Sequence, residues 1–343
     1  MGTNPATDGY RRGRYDDHSQ YASQVSPKLS ARYELSPTLA LRGSGGVGFK
    51  APDFRQLYLN FDNGVVGYSV FGTQEIAAGI ARLQQQGQIA EILVDPTRFG
   101  AIRAESSVAF NLGLAANFQQ KYDLPLRLSV NLFRNDVHDL IETQVVAQKT
   151  NGQNVFSYTN LSRVFTQGVE IDGSYRLTLG AGRLTMSAGY QYLDARDKSV
   201  VDAIRAGQVF RRNPETLVTE QVKPADYGGL LNRSRHMANL KAFYELPKQG
   251  LSASVRGIYR SRYGFADRNG NLILDTDSEY VPGYMTWHVT AAKTIRQLTV
   301  QVGIDNLTGY TDPQYIPTLA GRLWYASLRW NWQQRAATQP NSL

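Results

Sequence analysis

The sequence predicts an all-β protein, an antiparallel transmembrane β-barrel with long extracellular loops, and three observations support this prediction. Apolar and polar residues alternate along many segments, and tight turns and long connections join these segments in alternation. Tyr and Trp gather at the segment ends, as in the aromatic girdles of membrane barrels. The mixture of 20 Tyr, 13 Phe and 31 Gly also favours strands with many turns.

Alternation with a period of two residues identifies each strand, because successive side chains of an extended chain point to opposite faces. The apolar face of the last strand consists of Trp324, Ala326, Leu328, Trp330 and Trp332. About eleven strands are predicted, over residues 24–35, 38–49, 108–118, 126–132, 169–177, 184–192, 238–246, 251–260, 285–291, 298–305 and 324–332. Many have about ten residues, the length that a tilted strand needs to cross a bilayer.

The connections distinguish a membrane barrel from a large soluble antiparallel sandwich or barrel, which is the alternative for this pattern. Tight turns are predicted at residues 35–38, 121–125, 179–182 and 247–250, and long segments separate them. Short turns at one rim and long loops at the other are typical of a transmembrane barrel. No run approaches the roughly 18 apolar residues of a membrane helix, so strands are expected to cross the membrane.

Composition and motifs argue against several function classes. The net charge is +8, but Lys and Arg are scattered rather than gathered into a base-reading patch, so no nucleic-acid partner is expected. The absence of cysteine excludes disulfides and thiolate metal sites, and no metal or cofactor is predicted. His138 and Asp139 are adjacent, but neighbours on a strand point to opposite faces, so no catalytic set is formed and no enzyme is expected.

Ligand contacts are expected on the long loops, because loops on a rigid scaffold carry function. The longest spans residues 49–104. Its aromatic residues either stack on a ligand or form the loop's own small core; they are Tyr58, Phe61, Tyr68 and Phe71. Helical spacing of Ile76, Ile80 and Leu83, with Gly87 as a stop, predicts a helix that caps the barrel or packs on other loops.

A second loop spans roughly residues 194–230. Its arginines Arg205, Arg211 and Arg212 either hold an anionic ligand through charge-assisted hydrogen bonds or are simply solvated. The four histidines suggest a haem hypothesis, which requires one of them high in the barrel and facing the ligand; they are His18, His138, His236 and His288.

Five stretches resemble, in family order, the motifs of TonB-dependent outer-membrane receptors. LRGSGGVGFKAPDFRQLY, residues 41–58, resembles their "G-F-R-A-P-x-x-x-x-L-Y" signature through Gly48, Phe49, Lys50, Ala51, Pro52, Leu57 and Tyr58. Residues 104–114, 132–142 and 164–175 resemble three further strand motifs. GIDNLTGYTDPQY, residues 303–315, resembles the near-terminal "N-L-F-x-x-x-Y" through Asn306 and Leu307. The ending at Trp330 and Trp332 resembles the terminal-strand signal read by the outer-membrane assembly machinery.

The resemblance implies a receptor in the outer membrane of a Gram-negative bacterium, which takes up a nutrient chelate such as a ferric siderophore with energy from the TonB complex. Outer-membrane lipid, the nutrient ligand and the assembly machinery are the implied partners. The TonB complex is expected to act only through an N-terminal plug, which this sequence lacks. The alternatives are a receptor for haem, a vitamin or an oligosaccharide, and a passive outer-membrane pore.

Three regions are expected: an extracellular loop remnant at residues 1–20, a partial receptor barrel at 21–332 and a polar C-terminal tail at 333–343. The resemblance implies a barrel of 22 strands. Because such a barrel has an even number of strands and about eleven are predicted here, an odd number is expected upstream. The size of the family barrel implies that this number is about eleven. No signal peptide is recognised at residues 1–19. An open sheet edge in lipid leaves backbone groups unpaired, at a cost of several kcal/mol each, so the chain alone is not expected to fold as a stable monomer.

Overall fold

A computed structural model of the 343-residue chain describes residues 7–17, 23–63, 68–99, 102–213, 216–265, 273–274, 276–313, 315–316 and 318–332. His18 and the expected tail at 333–343 lie outside these ranges. The strands are β1 (Thr7–Arg12), β2 (Tyr15–Asp16), β3 (Gln24–Val25), β4 (Lys28–Ser36), β5 (Leu39–Lys50), β6 (Asn60–Asn63), β7 (Tyr68–Phe71), β8 (Ile89–Ile92), β9 (Glu105–Asn117), β10 (Leu126–Lys149), β11 (Asn154–Leu179), β12 (Gly182–Asp197), β13 (Phe210–Arg212), β14 (Thr219–Gln221), β15 (His236–Leu246), β16 (Leu251–Arg260), β17 (Tyr263–Gly264), β18 (Tyr280–Val281), β19 (Tyr284–Ile295), β20 (Leu298–Asp305) and β21 (Leu323–Trp330).

Helices are few and lie in the connections. They are α1 (Phe54–Tyr58), α2 (Ile76–Gln85), α3 (Gln119–Tyr122) and α4 (Lys198–Arg205), with 3₁₀ turns at Pro96–Phe99, Pro247–Gln249 and Asp277–Glu279. Among the described residues, none of these helices is both long and apolar enough to cross a membrane.

Twelve strands of a 15-stranded sheet follow one path in the order β1-β4-β5-β9-β10-β11-β12-β15-β16-β19-β20-β21, and β6, β7 and β8 lie off this path. Each strand along this path is antiparallel to its neighbours. The predicted antiparallel class is therefore confirmed, and the strands joined by the four predicted tight turns are paired as expected. Within the described residues β1 and β21 do not pair with each other, so the sheet is open.

The twelfth strand, β1, corrects the expectation that residues 1–20 are only a loop remnant. Residues Thr7–Arg12 pair with β4 at six positions, from Thr7 opposite Tyr33 to Arg12 opposite Lys28. The segment TDGYRR has no alternating apolar pattern, and its extended form is set by hydrogen bonds to the edge of β4 rather than by burial. Twelve is an even number, so the argument that an odd number of strands is missing upstream fails.

The two faces of the sheet differ as the alternation predicts. Side chains of the apolar face are exposed, and in β21 Trp324, Leu328 and Trp330 are 71%, 74% and 61% exposed. Leu112, Leu132, Leu240 and Val302 on other strands are also exposed. The opposite, polar face lines a concavity of about 1130 Å³, whose walls include Arg42, Ser129, Asp172 and Asn239. This arrangement contradicts a soluble sandwich, whose apolar face would pack into a dry interior.

The buried apolar residues lie among the loops. The first loop core consists of Phe71, Ile76, Ile80, Leu83, Phe99, Val146, Ala147 and Val155. The second loop core consists of Val201, Ile204, Val209, Val222, Tyr227 and Ile273. Both are built mainly from the long connections, so these connections are packed structures rather than solvated segments.

β10 and β11 are far longer than predicted, with 24 and 26 residues. They form one hairpin whose turn, residues 150–153, lies on the same side as the long loops. The part of this hairpin near its turn receives two strands of the loop at 51–104: β8 pairs with β10, and β7 pairs in parallel with β11. These added partners explain why the two strands continue beyond the length that a bilayer requires.

Candidate ligand-binding site

The loop at residues 51–104 is fixed to the β10–β11 hairpin by α2. Ile76, Ile80 and Leu83 are buried on one side of this helix, which confirms the predicted spacing. Gly87 has φ +67 just after the helix, a conformation that favours glycine at a helix end. The helix packs in the first loop core, against Phe71 and Phe99 of its own loop and against Val146, Ala147 and Val155 of the β10–β11 hairpin.

The four aromatic residues proposed as ligand contacts divide into two groups. Phe71 is completely buried in the first loop core, so it supports the loop and does not reach a ligand. Tyr58 and Tyr68 are about two-fifths exposed, at 43% and 42%. The ring of Phe61 lies 5.6 Å from that of Tyr68 between centroids. These three side chains remain candidates for ligand contact.

An ion pair between a buried lysine and a partly exposed aspartate links the β6–β7 hairpin to β10. Lys149 is only 3% exposed, and its Nζ donates a hydrogen bond to Asp62 Oδ1 at 2.6 Å. Ser69 Oγ donates to the same carboxylate oxygen at 2.6 Å. The hydrogen bond from Lys149, followed by that from Ser69, lowers the pKa of Asp62 below its ordinary value. The ion pair was not predicted from the sequence, because its members are 87 residues apart.

The three arginines proposed for anion binding also have different roles. Arg211 lies on β13, and its Nε is 2.9 Å from Glu220 Oε1, with Asp226 Oδ1 3.8 Å from Nη1. Its charge is therefore compensated within the loop. Arg212 is exposed and donates from Nε to the Leu217 carbonyl at 3.3 Å. Arg205 ends α4 and is exposed, so Arg205 and Arg212 remain the candidates for contact with an anionic ligand.

The motif at residues 41–58 marks the point where β5 enters the long loop. Lys50 Nζ lies 2.8 Å from Glu105 Oε1 on β9, and the same oxygen accepts a hydrogen bond from the Ile141 backbone N–H on β10. A Cβ at Gly48 would lie 2.5 Å from the Ser107 hydroxyl, so close contact between β5 and β9 favours glycine. The motif thus joins three strands at the loop rim. Phe49, Ala51 and Leu57 are partly buried, and Pro52 is buried.

Asn306 holds the connection between β20 and β21. Its Nδ2 donates to the Tyr310 and Ala320 carbonyls at 2.7 and 2.9 Å, and its Oδ1 accepts from the Tyr310 backbone N–H at 3.1 Å. Asn306 has φ 48, a left-handed conformation that Asn tolerates better than most residues. The neighbouring Leu307 is exposed, and its carbonyl accepts from Arg322 Nε at 2.8 Å. The Asn306 side chain and the Leu307 carbonyl thus hold together the two ends of the connection between β20 and β21.

The three described histidines lie apart from one another. His288 lies on the polar face with Nδ1 2.9 Å from Asp305 Oδ1, and His236 Nδ1 lies 2.7 Å from the Tyr190 hydroxyl. His138 is on β10 opposite Arg163. Within the part of the chain that the structure describes, no group of three or more His, Asp or Glu side chains could hold a metal ion.

An open antiparallel sheet with an exposed apolar face, a polar face and packed loops at one rim defines a transmembrane β-barrel protein. A family model described as "TonB dependent receptor-like, beta-barrel" matches residues 12–307. The chain belongs to this family.

Several of the proteins that this chain resembles are named as siderophore receptors. The probable TonB-dependent siderophore receptor PirA of Acinetobacter baumannii is 26% identical over 215 residues, which are 58% of this chain and 25% of that protein. The crystal structure of the siderophore receptor PirA from Pseudomonas aeruginosa matches with 18% identity and a TM-score of 0.56. The match covers 94% of this chain and 45% of the PirA chain.

A variant of the ferric enterobactin receptor PfeA of Pseudomonas aeruginosa, in complex with enterobactin, gives 17% identity and a TM-score of 0.60. The match covers 96% of this chain and 44% of that one. At such identities the solved structures show a common fold. This chain spans a quarter of the curated relative and less than half of the two solved receptors.

Proposed function

We propose that this chain is part of an outer-membrane receptor of a Gram-negative bacterium that takes up a nutrient chelate, such as a ferric siderophore, in a TonB-dependent manner. The observation that carries the proposal is the pair of packed loop cores at one rim of a membrane sheet. They hold exposed aromatic and cationic side chains in fixed positions, as a ligand site on a rigid scaffold requires. The family match and the names of the relatives support the same function.

Several partners follow from the proposal. Lipid would contact the apolar face, and the aromatic ending at Trp330 and Trp332, 61% and 81% exposed, would serve as the signal for the assembly machinery. Contact with the TonB complex would require an N-terminal plug. A receptor for haem, a vitamin or an oligosaccharide and a passive pore remain the alternative functions. The haem alternative requires one histidine high in the barrel that faces the ligand, whereas His236 is hydrogen-bonded to Tyr190 and His288 to Asp305.

Uptake of radiolabelled iron tests the proposal. The complete receptor that contains this chain is expressed in a Gram-negative strain that lacks its own siderophore receptors, and accumulation of ferric siderophore, haem and free iron is compared in tonB-positive and tonB-deleted cells. The proposal expects accumulation of a ferric siderophore only when TonB is present. Equal accumulation without TonB would indicate a passive pore, and accumulation of haem alone would indicate a haem receptor.

A further inference from the structure

Charge is distributed unevenly along the rim of tight turns, which lies opposite the long loops. Arg183, at the turn between β11 and β12, is compensated by Glu245, with Nε 2.9 Å from Oε1. Lys121, between β9 and β10, lies two residues from Asp123. The turns after β15 and β19, at residues 246–251 and 293–298, contain three cations and no acidic residue; the cations are Lys248, Lys293 and Arg296. Positive charge is therefore concentrated at one part of this rim.

Pairing of β16 with β19 brings these two turns together. Leu251 lies opposite Lys293, and the Thr294 N–H donates to the Gly250 carbonyl at 2.7 Å. Lys293 Nζ donates to the Gln249 carbonyl at 2.6 Å. The ammonium group of one turn thus lies at the backbone of the other, and the three cations belong to one continuous surface.

The cations are held on defined backbone and lack acidic partners. Arg296 has φ 54 in the turn between β19 and β20, and the next carbonyl, that of Gln297, accepts from the Asn331 N–H at 2.9 Å. The side chains of Lys248 and Arg296 are exposed. Among the described residues, none of the three cations forms an ion pair with a carboxylate. Residues 333–343, which follow the described part of β21, contain no Asp or Glu.

An exposed apolar surface adjoins the cations. Lys293 and Ile295 alternate along β19 on the apolar face of the sheet. Ile295 lies opposite Leu298, and Leu298 lies opposite Trp330 on β21. Leu251, Ile295 and Trp330 are exposed. A lysine at the edge of such a face lays its stem along apolar surface and directs its ammonium group to the headgroup region.

We propose that this basic turn surface, which consists of Lys248, Lys293 and Arg296, binds an anionic diacyl phospholipid of the periplasmic leaflet. The phosphate accepts charge-assisted hydrogen bonds from the cations, and the acyl chains extend along Leu251 and Ile295. Clusters of Lys and Arg beside a membrane attract anionic lipid. A soluble anion would use the cations alone and leave the adjoining apolar side chains without a role.

This inference rests on the outer-membrane location in the proposed function, because the tight turns of such a barrel face the periplasm. Lipid contact with the apolar face is common to every strand of a membrane barrel. The basic turn surface, by contrast, distinguishes one lipid headgroup from another and lies only at the turns after β15 and β19.

Native mass spectrometry of the complete receptor that contains this chain tests the inference. Dimyristoyl phosphatidylglycerol is compared with phosphatidylethanolamine of the same acyl chains, since both have a phosphate and only the first has a net negative charge. Lys293→Gln and Arg296→Asn each remove a cation, and Asn tolerates the left-handed conformation of Arg296. Lys121→Gln removes the same charge at another tight turn and is the matched control. Heat-modifiable migration on a gel confirms that each variant is assembled.

The inference expects the parent to bind phosphatidylglycerol about tenfold more tightly than phosphatidylethanolamine. Lys293→Gln and Arg296→Asn should each weaken phosphatidylglycerol binding about fivefold, and Lys121→Gln should leave it unchanged. Higher salt should reduce the preference, and added glycerol phosphate should not displace the lipid. Displacement by glycerol phosphate would show a site for a soluble anion and would overturn the inference.

Two further outcomes overturn it: equal binding of the two lipids by the parent, and equal weakening in Lys121→Gln and Lys293→Gln, which would indicate diffuse rim charge. Fractionation of the same cells separates a failure of the inference from a failure of the proposed function. An assembled receptor in the outer-membrane fraction without lipid preference overturns this inference alone. Absence of the receptor from that fraction overturns the proposed location and the inference with it.

Discussion

At the residue scale, the ion pair between Lys149 and Asp62 ties the loop at 51–104 to β10. Burial disfavours a charged ammonium unless a carboxylate and hydrogen bonds compensate it. Asp62 supplies that compensation at 2.6 Å, and Ser69 fixes the carboxylate from a second direction. The ion pair therefore couples the position of β6 and β7, which carry Phe61 and Tyr68, to the long β10–β11 hairpin.

Asp62→Asn should loosen the β6–β7 hairpin, because it leaves the Lys149 ammonium buried and uncompensated. We expect a local loss of about 1–3 kcal/mol, seen as roughly 5- to 150-fold faster hydrogen exchange of the β7 amides. Glu91→Gln, an exposed change in the same loop, is the control. Combining Asp62→Asn with Lys149→Met removes the buried charge and should restore part of the protection. Equal exchange in Asp62→Asn and Glu91→Gln would refute the assigned role.

The same ion pair gives a pH dependence. The pKa of Asp62 is lowered in the folded loop, so its contribution is fully present above the ordinary Asp pKa of about 3.9. The contribution is lost as the pH falls through the lowered folded pKa. Exchange of the β7 amides, corrected for intrinsic rates, should thus stay constant from pH 8 to pH 5 and rise only below about pH 4. A rise near neutral pH would point to another titrating group.

At the element scale, α2 shows packing overriding helix propensity. Gly79 lies within the helix, where Ala is intrinsically better by about 0.5–1 kcal/mol. A Cβ at Gly79, however, would lie 2.8 Å from Cδ1 of the Phe71 ring. The glycine therefore allows the helix to approach the ring that forms the centre of the first loop core.

Gly79→Ala should destabilise the packed loop by about 1–3 kcal/mol despite its favourable propensity, because the ring has to move. The rate of trypsin cleavage after the exposed Arg82 measures the opening of α2. Ala78→Gly, on an exposed position of the same helix, should cost only about 1 kcal/mol from propensity. Slower cleavage in Gly79→Ala than in the parent protein would show that the helix does not pack against Phe71.

At the scale of the whole molecule, the two faces of the sheet should respond differently to the same charged substitution. Leu132 lies on the apolar face and is 48% exposed, whereas Ser129 lines the concavity of the polar face. Leu132→Arg should cost about 2–4 kcal/mol if that face meets lipid near the bilayer centre, whereas Ser129→Arg should be tolerated. The amount of protein in the outer-membrane fraction measures both. Greater loss with Ser129→Arg would indicate that the faces are assigned the wrong way round.

The open edges of the sheet determine the behaviour of this chain on its own. Along β1 and β21, backbone groups lack a neighbouring strand within the described residues, and such groups are costly in lipid. We expect the chain, refolded alone in detergent, to give no compact heat-modifiable monomer on a cold SDS gel and to form larger species instead. A compact monomeric band that shifts on heating would contradict this expectation.

The sequence by itself determined the class of fold and most of its strands, because side-chain alternation is a local property with a fixed period of two. It also determined the helix at Ile76–Gln85, since its apolar spacing and Gly87 are local signals. β1 was missed because its strand form depends on pairing with β4 and not on a pattern of its own.

Only the tertiary structure decided which loop side chains are available to a ligand. Phe71 and Tyr68 look alike in sequence, yet the first is buried in a core formed with the distant Val146 and Val155, and the second is exposed. Arg211 and Arg212 are adjacent, yet only Arg211 is compensated, by Glu220 and Asp226. Burial and ion pairing depend on residues far apart in the chain, and no local periodicity encodes those distances.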